Sequence, residues 1–310
     1  MSGTQALHHL PYHVPIMVPQ VLEGLHILPQ GTYVDCTMGG GGHSRAILEN
    51  LGAGGKLVAF DQDADAAAQM PADDRLLFVP ENFRHLQRFL RLHGIGQVDG
   101  VLADLGVSSH QFDEGERGFS YRFDAVLDMR MNQRQPLTAA EVVNTYTAAQ
   151  LQQCLSAYGE VTNARTLAAA LVQQRQAQPF KTIADLLQVL KPLAKGKPNR
   201  YYAQVFQALR IEVNDEMGAL KDLLEQLPKV LKPGGRVAII TFHSVEDRLV
   251  KNWLKQPSEN TAPDPIYGGR PQSPFELITR KPIEPDETEI KMNPRAASAR
   301  LRIAALKANG

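Results

Sequence analysis

Three acids that each close a short apolar run, Asp35, Asp61 and Asp104, are the residues of this chain best placed to do chemistry, together with a glycine turn between the first two. The run Thr32-Tyr33-Val34 ends in Asp35. Gly39-Gly40-Gly41-Gly42 follows, and His43-Ser44 then opens a helical pattern through Ala46, Ile47, Leu48 and Leu51. Glycines let backbone approach a ligand closely and take positive φ. A helix start adds unpaired N–H groups and a partial positive charge. A strand, a tight turn and a helix start in that order suit a nucleotide-like cofactor at the carboxyl end of a buried strand. Asp61 closes the run Lys56–Phe60 at the distance expected for a carboxylate that accepts ribose hydroxyls. Ribose is its favoured partner; capping the next helical pattern, from Ala64 to Met70, is the alternative.

Two familiar phosphate loops do not fit. In G-x-G-x-x-G, counting from Gly39 puts Ser44 at the last glycine, and counting from Gly40 puts Arg45 there. No lysine follows the glycines, so the pyrophosphate cradle G-x-x-x-x-G-K-[ST] is also missing. An acid followed by a glycine-rich turn does match the S-adenosylmethionine (SAM) loop of Rossmann-like methyltransferases, with Thr37 where many of them have glycine.

These residues need a parallel sheet to hold them. Lys56–Phe60, Leu76–Val79 and Val98–Asp104 read as strands, and helical patterns lie between them, as in an α/β sheet. Phe83, Leu86, Phe89, Leu90 and Leu92 mark one of those helices. Ahead of the sheet, Pro19 opens a short helix containing Val21, Leu22 and Leu25. After Ser109 the alternation stops. Thr138-x-x-Glu141 and Thr147-x-x-Gln150 are capping boxes, and amphipathic faces follow at Leu167, Leu171 and Val172, then at Ile183, Leu186, Leu187 and Leu190. The glutamines from Gln150 to Gln153 and from Gln173 to Gln176 are expected on solvated helix faces. No further strand pattern comes before Arg236–Phe242. One crossover helix cannot span such a gap, so a helical subdomain is inserted after the fourth strand. A helix over Leu220–Leu231 returns the chain, and Lys232-Pro233-Gly234-Gly235 stops it before the fifth strand. Ser244–Leu254 is a helix with Trp253 as a core anchor. The segment from Pro257 to Pro274 is a long loop, and Phe275–Thr279 with Ser298–Ala305 form a closing strand pair.

The chain has 310 residues, 43% of them hydrophobic, enough for one large domain or two smaller ones with real cores. With 33 basic and 33 acidic residues the formal net charge is zero, so any nucleic-acid surface must be local. One local basic stretch exists. Lys191, Lys195, Lys197, Arg200 and Arg210 occur with no acid between Leu186 and Ile211, beside Tyr201, Tyr202 and Phe206. Phosphate attraction with base stacking fits that composition. The alternative is a solvated turn leading into an amphipathic helix that buries Tyr202, Phe206 and Leu209. Cys36 and Cys154 lie far apart without metal-ligand spacing and read as free thiols. No apolar stretch approaches the length of a membrane span and no signal segment is visible, so a soluble cytoplasmic protein is expected, with no membrane partner.

The chain resembles the bacterial 16S rRNA (cytosine-N4)-methyltransferases from end to end. His13-x-Pro15-Ile16-Met17 with Val21-Leu22-Glu23-Gly24-Leu25 is similar to the family's opening, and Asp35 to Arg45 to its cofactor loop, with Met38 at a usual phenylalanine. Asp104-Leu105-Gly106-Val107-Ser108-Ser109-x-Gln111 is similar to its fourth-strand motif, with His110 at a usual proline and Phe112 at a usual leucine. Arg117-Gly118-Phe119-Ser120 and Leu127-Asp128-Met129-Arg130-Met131 are the most diagnostic, because they follow no general structural logic; Val126 stands at a usual proline. Phe206 to Ile211, Phe242 to Arg248 and Asn293-Pro294-Arg295-x-x-Ser298 complete the match.

The resemblance implies an α/β fold, a Rossmann-like class I methyltransferase sheet with an inserted all-helical subdomain. The expected bounds are 1–111 and 205–310 for the SAM-binding domain and 112–204 for the insertion. It implies methyl transfer from SAM to the N4 amino group of a cytidine near the P site of the small ribosomal subunit. SAM contacts carry over to Gly41, Gly42, His43, Asp61, Phe83, Asp104 and Gln111, and catalysis to Asp104. From the residues alone, Phe83 is equally an ordinary core aromatic, and a helix cap is the alternative for His43. Asp104 is open to three roles: contact with the SAM amino group, with the cytosine amino group, or with both in turn. A nicotinamide oxidoreductase is disfavoured by the incomplete fingerprint. A non-catalytic RNA-binding factor is disfavoured by the intact Asp35, Asp61 and Asp104. The sequence leaves the oligomeric state open, a homodimer included.

Overall fold

The computed structural model describes residues 15–257 and 272–308. The chain enters through α1 (Val18–Leu25), with Pro19 in its first turn. It continues as β1 (Thr32–Asp35), α2 (Gly42–Asn50), β2 (Lys56–Phe60), β3 (Leu76–Val79), α3 (Leu86–Leu92) and β4 (Val98–Asp104). Residues Ala64–Gln69 and Phe83–His85 are 3-10 turns rather than α-helix. Beyond β4 come a single turn, α4 (Ser109–Asp113), and five longer helices. These are α5 (Ala139–Thr145), α6 (Ala148–Ala157), α7 (Ala164–Ala177), α8 (Ile183–Leu193) and α9 (Pro198–Asn214). The chain then returns through α10 (Glu216–Val230), β5 (Leu231–Thr241), α11 (Ser244–Lys255), β6 (Phe275–Leu277), α12 (Glu287–Met292) and β7 (Arg300–Leu306).

The seven strands lie in the order β3-β2-β1-β4-β5-β7-β6. The first five are mutually parallel, and β7 runs antiparallel to both β5 and β6. Val34 of β1 pairs with Val58 on one side and Val101 on the other, which puts the reversal of strand order between β1 and β4. Apolar residues run without alternation because both faces are covered. Val34, Phe60 and Val101 pack under α3, α10 and α11. Tyr33, Leu57 and Leu102 pack under α1 and α2 with Leu25 and Ile47. Trp253 is half-buried and tilts against Phe275 at 5.2 Å.

The helical layer has a core of its own, running from Phe119 and Leu127 to Leu209 and Val213. Both expected capping boxes form, with Thr138 and Glu141 at α5 and Thr147 and Gln150 at α6. The boundary expected at 204/205 falls inside α9, whose Val205, Phe206 and Leu209 belong to that core. The Pro-Gly-Gly stop also differs in detail. Leu231 already pairs with Val98, the chain bulges through Lys232–Gly235, and pairing resumes at Arg236 opposite Gly100. Of the expected loop from Pro257 to Pro274, residues 258–271 lie outside the described residues. Cys36 and Cys154 are buried free thiols, and burial raises the pKa of both. No helix among the described residues is long and apolar enough to cross a membrane.

Candidate active site

A cavity opens at the carboxyl ends of β1, β2 and β4, where doubly wound sheets bind ligands. Its floor is the glycine turn. Gly39 and Gly41 take positive φ, 50° and 74°, and the Gly41 N–H donates to the Met38 carbonyl at 2.7 Å. Gly39 and Gly40 line the cavity. Gly41 does not: it is the N-cap of α2 and turns toward Arg45 and Gln69. Gly42 lines the cavity, and its missing Cβ admits Pro15, whose ring would stand 2.7 Å from one.

Asp35 is fully buried behind this turn. It accepts from Ser44 Oγ at 2.7 Å and from the Thr37 N–H at 3.1 Å, so it fastens the turn to α2 without reaching the cavity. Asp61 does line the cavity. Its carboxylate accepts from the Gly39 N–H and the Asp63 N–H, both at 2.8 Å, and burial pushes its pKa up to about 6. Each oxygen keeps one lone pair for a hydroxyl donor. The cap of the following turn is Asp63, not Asp61. Phe83 opens a 3-10 turn, lines the cavity and also packs against the sheet core.

Asp104 closes β4 with its backbone N–H held by Thr37 Oγ1 at 2.8 Å. Its Oδ1 is buried and has no hydrogen-bond partner among the described residues. Oδ2 lies 3.6 Å from Nδ1 of His43. Burial pushes the Asp104 pKa up to about 6, with Asp35 and Glu246 adding to the rise and His43 opposing it. His43 lies inside the first turn of α2 and makes no cap hydrogen bond. Gln111 is buried and doubly engaged, completing a capping box with Ser108 and donating to Asp63 Oδ2 at 2.7 Å. Six of the seven expected contact residues thus share one cavity, and Gly41 supports it from behind.

The diagnostic motifs acquire structural reasons. Gly118 takes φ 75° where a Cβ would stand 2.5 Å from the Val126 carbonyl. Asp128 grips Arg130, and Asn214 holds this segment through the Met131 N–H and the Met129 carbonyl. Asp63 and Asn214 were not singled out from the sequence, because their partners lie 54 and more than 80 residues away.

The basic stretch divides. Lys191, Lys195, Lys197 and Arg200 are exposed around the turn between α8 and α9. Arg210 is not part of that surface, since it pairs with both oxygens of Glu216 at 2.7 and 2.9 Å. Tyr201 and Phe206 are core residues rather than stacking platforms, and half-buried Tyr202 packs edge-on to Tyr121 at 5.8 Å. Ligand atoms of Glu216, His243 and Glu246 come within 4.8 Å of one another. Arg210 already supplies the counter-charge there, and His243 Nε2 stands 3.1 Å from Glu246 Oε1 at ion-pair distance without hydrogen-bond geometry.

Strand order, the β1/β4 reversal and the glycine turn beside Asp61 define a Rossmann-like class I methyltransferase, a class whose methyl donor is SAM. The residues fit that donor. Asp61 presents free lone pairs for hydroxyl donors, and apolar Phe83 and Ala66 line the same cavity. The sequence profile of the MraW methylase family matches residues 11–307, and the chain belongs to that family. A Bacteroides thetaiotaomicron protein named ribosomal RNA small subunit methyltransferase H is 52% identical over 299 residues, covering 96% of this chain and 98% of its own. A Parabacteroides distasonis protein of the same name is 55% identical over 295 residues, covering 94% and 97%.

Proposed function

We propose that the protein transfers a methyl group from SAM to the exocyclic N4 amino group of a cytidine in 16S rRNA, near the ribosomal P site. The observation that carries this reading is the unpartnered Oδ1 of Asp104 in a cavity with walls from two layers. Asp61 and Phe83 belong to the sheet side, Met131 and Asn214 to the helical side. One reactant fits each wall, and Asp104 stands where they meet.

When bound, SAM supplies an electrophilic methyl group on a sulfonium. The glycine turn admits its methionine end, Asp61 accepts from the ribose hydroxyls, and Phe83 flanks the adenine. A cytosine amino nitrogen is a poor nucleophile because its lone pair is delocalised into the ring. Asp104 Oδ1 accepts one of its hydrogens, turns the lone pair toward the methyl and receives the departing proton. Fixed geometry does the rest, since holding two reactants in line removes much of the entropic barrier. The base must leave its stack to reach this depth. Exposed Lys195, Lys197 and Arg200 attract the surrounding rRNA phosphates.

The test is mass mapping of rRNA after the purified protein is incubated with SAM and small subunits lacking the modification. One added methyl on one cytidine is expected. SAM binding with no product on any particle would instead make the protein a non-catalytic factor on this fold.

A further inference from the structure

The buried ring of His43 meets a different partner at each nitrogen. Nε2 lies 2.9 Å from the carbonyl oxygen of Ile16. A carbonyl can only accept, so Nε2 carries a hydrogen. In the neutral ring Nδ1 is then a bare lone pair, and it faces Asp104 Oδ2 at 3.6 Å. That separation is an ion-pair distance, too long for a hydrogen bond. Two acceptors set against each other in a buried site attract only when they hold a proton between them. The other charged groups facing Asp104 are Asp35 from β1 and Glu246 from α11, both acids. His43 is therefore the one neighbour in that set able to take up a proton and balance the carboxylate. Its ring cannot swing away freely, because Ile16 holds the far nitrogen and the side chain is buried.

Resting on the methyl-transfer reading above, we propose that His43 is a positioning residue for the base, and that Asp104 and His43 act as one proton-accepting pair. The bookkeeping closes. The bond from N4 to the methyl carbon forms as the bond from sulfur to carbon breaks, and the sulfonium becomes a neutral thioether. The positive charge passes to N4, which loses one proton to Asp104 Oδ1. The neutralised carboxyl then turns its protonated oxygen toward His43, and Nδ1 takes the proton as that O–H bond breaks, restoring a carboxylate beside an imidazolium. No oxidant or further reactant is needed.

Two measurements test this. Nitrogen-15 imidazole spectra of the free protein, between about pH 5 and 8, should show Nε2 protonated throughout. At a fixed pH the Nδ1 resonance should move in Asp104→Asn, because the carboxylate facing that nitrogen is gone. The second uses His43→Gln, whose side-chain amide can still donate to Ile16 but offers no basic lone pair to Asp104. Its single-turnover rate should fall on the order of 10²-fold. Its acid limb should move to higher pH, since only Asp35 and Glu246 then face the carboxyl and both raise its pKa. SAM affinity should stay within a few-fold of the parent. A merely structural His43 would lower thermal stability and leave the acid limb in place, and that result would overturn the proposal. A Nδ1 signal blind to Asp104→Asn, with methyl transfer intact, would overturn it as well. Failure of the unaltered protein to transfer any methyl would instead overturn the parent reading.

Discussion

Arg117 and Asp63 pair at 2.9 Å across the seam between the sheet and the helical layer. The same guanidinium donates to Asp65 Oδ2 at 2.9 Å and to the carbonyls of Arg130 and Met131 at 3.0 and 3.2 Å. On the other side Asp63 accepts from Gln111 at 2.7 Å. One arginine thus joins the loop after β2, which lines one wall of the cavity, to the segment that supplies Met131 to the opposite wall. Both partners are nearly buried, with side chains 11% and 7% exposed, so solvent cannot replace either.

Arg117→Met should destabilise the protein by about 3 kcal/mol, the scale for stranding one member of a buried ion pair. Urea unfolding measures it. The double variant with Asp63→Asn should recover part of the loss, because no uncompensated charge remains. A single variant within 0.5 kcal/mol of the parent, by the ordinary scatter of surface substitutions, would mean that the pair holds nothing together.

Asp61 offers a cleaner readout of cofactor binding. On the proposed reading, replacing it by alanine removes a charge-assisted acceptor of the ribose hydroxyls and should weaken SAM binding by roughly 1.5–3 kcal/mol. Calorimetry on the folded variant decides, and unchanged affinity would take Asp61 out of the site.

How far this site was legible depended on the span of each contact. The strands that lead into Asp35, Asp61 and Asp104 were readable because both faces of the sheet are covered, so apolar residues fill most of each run. The capping boxes were readable because their partners sit three residues apart. Arg210 misled, since its partner Glu216 lies six residues on, beyond the positive-φ break at Asp215, outside any helical spacing. Tyr202 and Phe206 are packed by Tyr121, some eighty residues earlier, so neighbouring charges said nothing about their burial. A run of four glycines cannot declare which member turns inward; the hydrogen bond from Gly39 to Asp61 settles that in three dimensions. The alanine-rich stretch after Asp61 reads as helix by propensity. It forms a 3-10 turn where the Asp61 and Asp63 carboxylates take the backbone N–H groups of Asp63 and Asp65.

The exposed turn between α8 and α9 separates substrate from cofactor. Neutralising Lys195, Lys197 and Arg200 together should weaken binding to ribosomal particles and reduce the slope of log affinity against log salt by about 2–3, one counterion per lost phosphate contact. SAM affinity should not move. A slope equal to the parent's would make this stretch a solvated turn and place the RNA surface elsewhere on the protein.

Asp104→Asn makes stability and catalysis move in opposite directions. Burial pushes the Asp104 pKa from its ordinary 3.8 up to about 6. Between those two values the folded state holds a proton that the unfolded chain has released, so stability falls as pH rises through this window and stays lowered above it. The amide carries no charge, and its N–H can face the His43 lone pair. The variant should therefore be more stable than the parent above pH 6 by about 1–3 kcal/mol, converting the shift at 1.36 kcal/mol per pKa unit and discounting it for partial exposure. That advantage should vanish near pH 4. Urea unfolding at the two pH values measures it. Single-turnover methylation should meanwhile fall by about 10²-fold or more, the range for a positioned proton acceptor, with SAM affinity little changed. If Asp104 served only the donor's ammonium group, affinity would drop instead and turnover at saturating SAM would stay near normal. A variant that kept both constants would remove Asp104 from the chemistry, whatever its gain in stability.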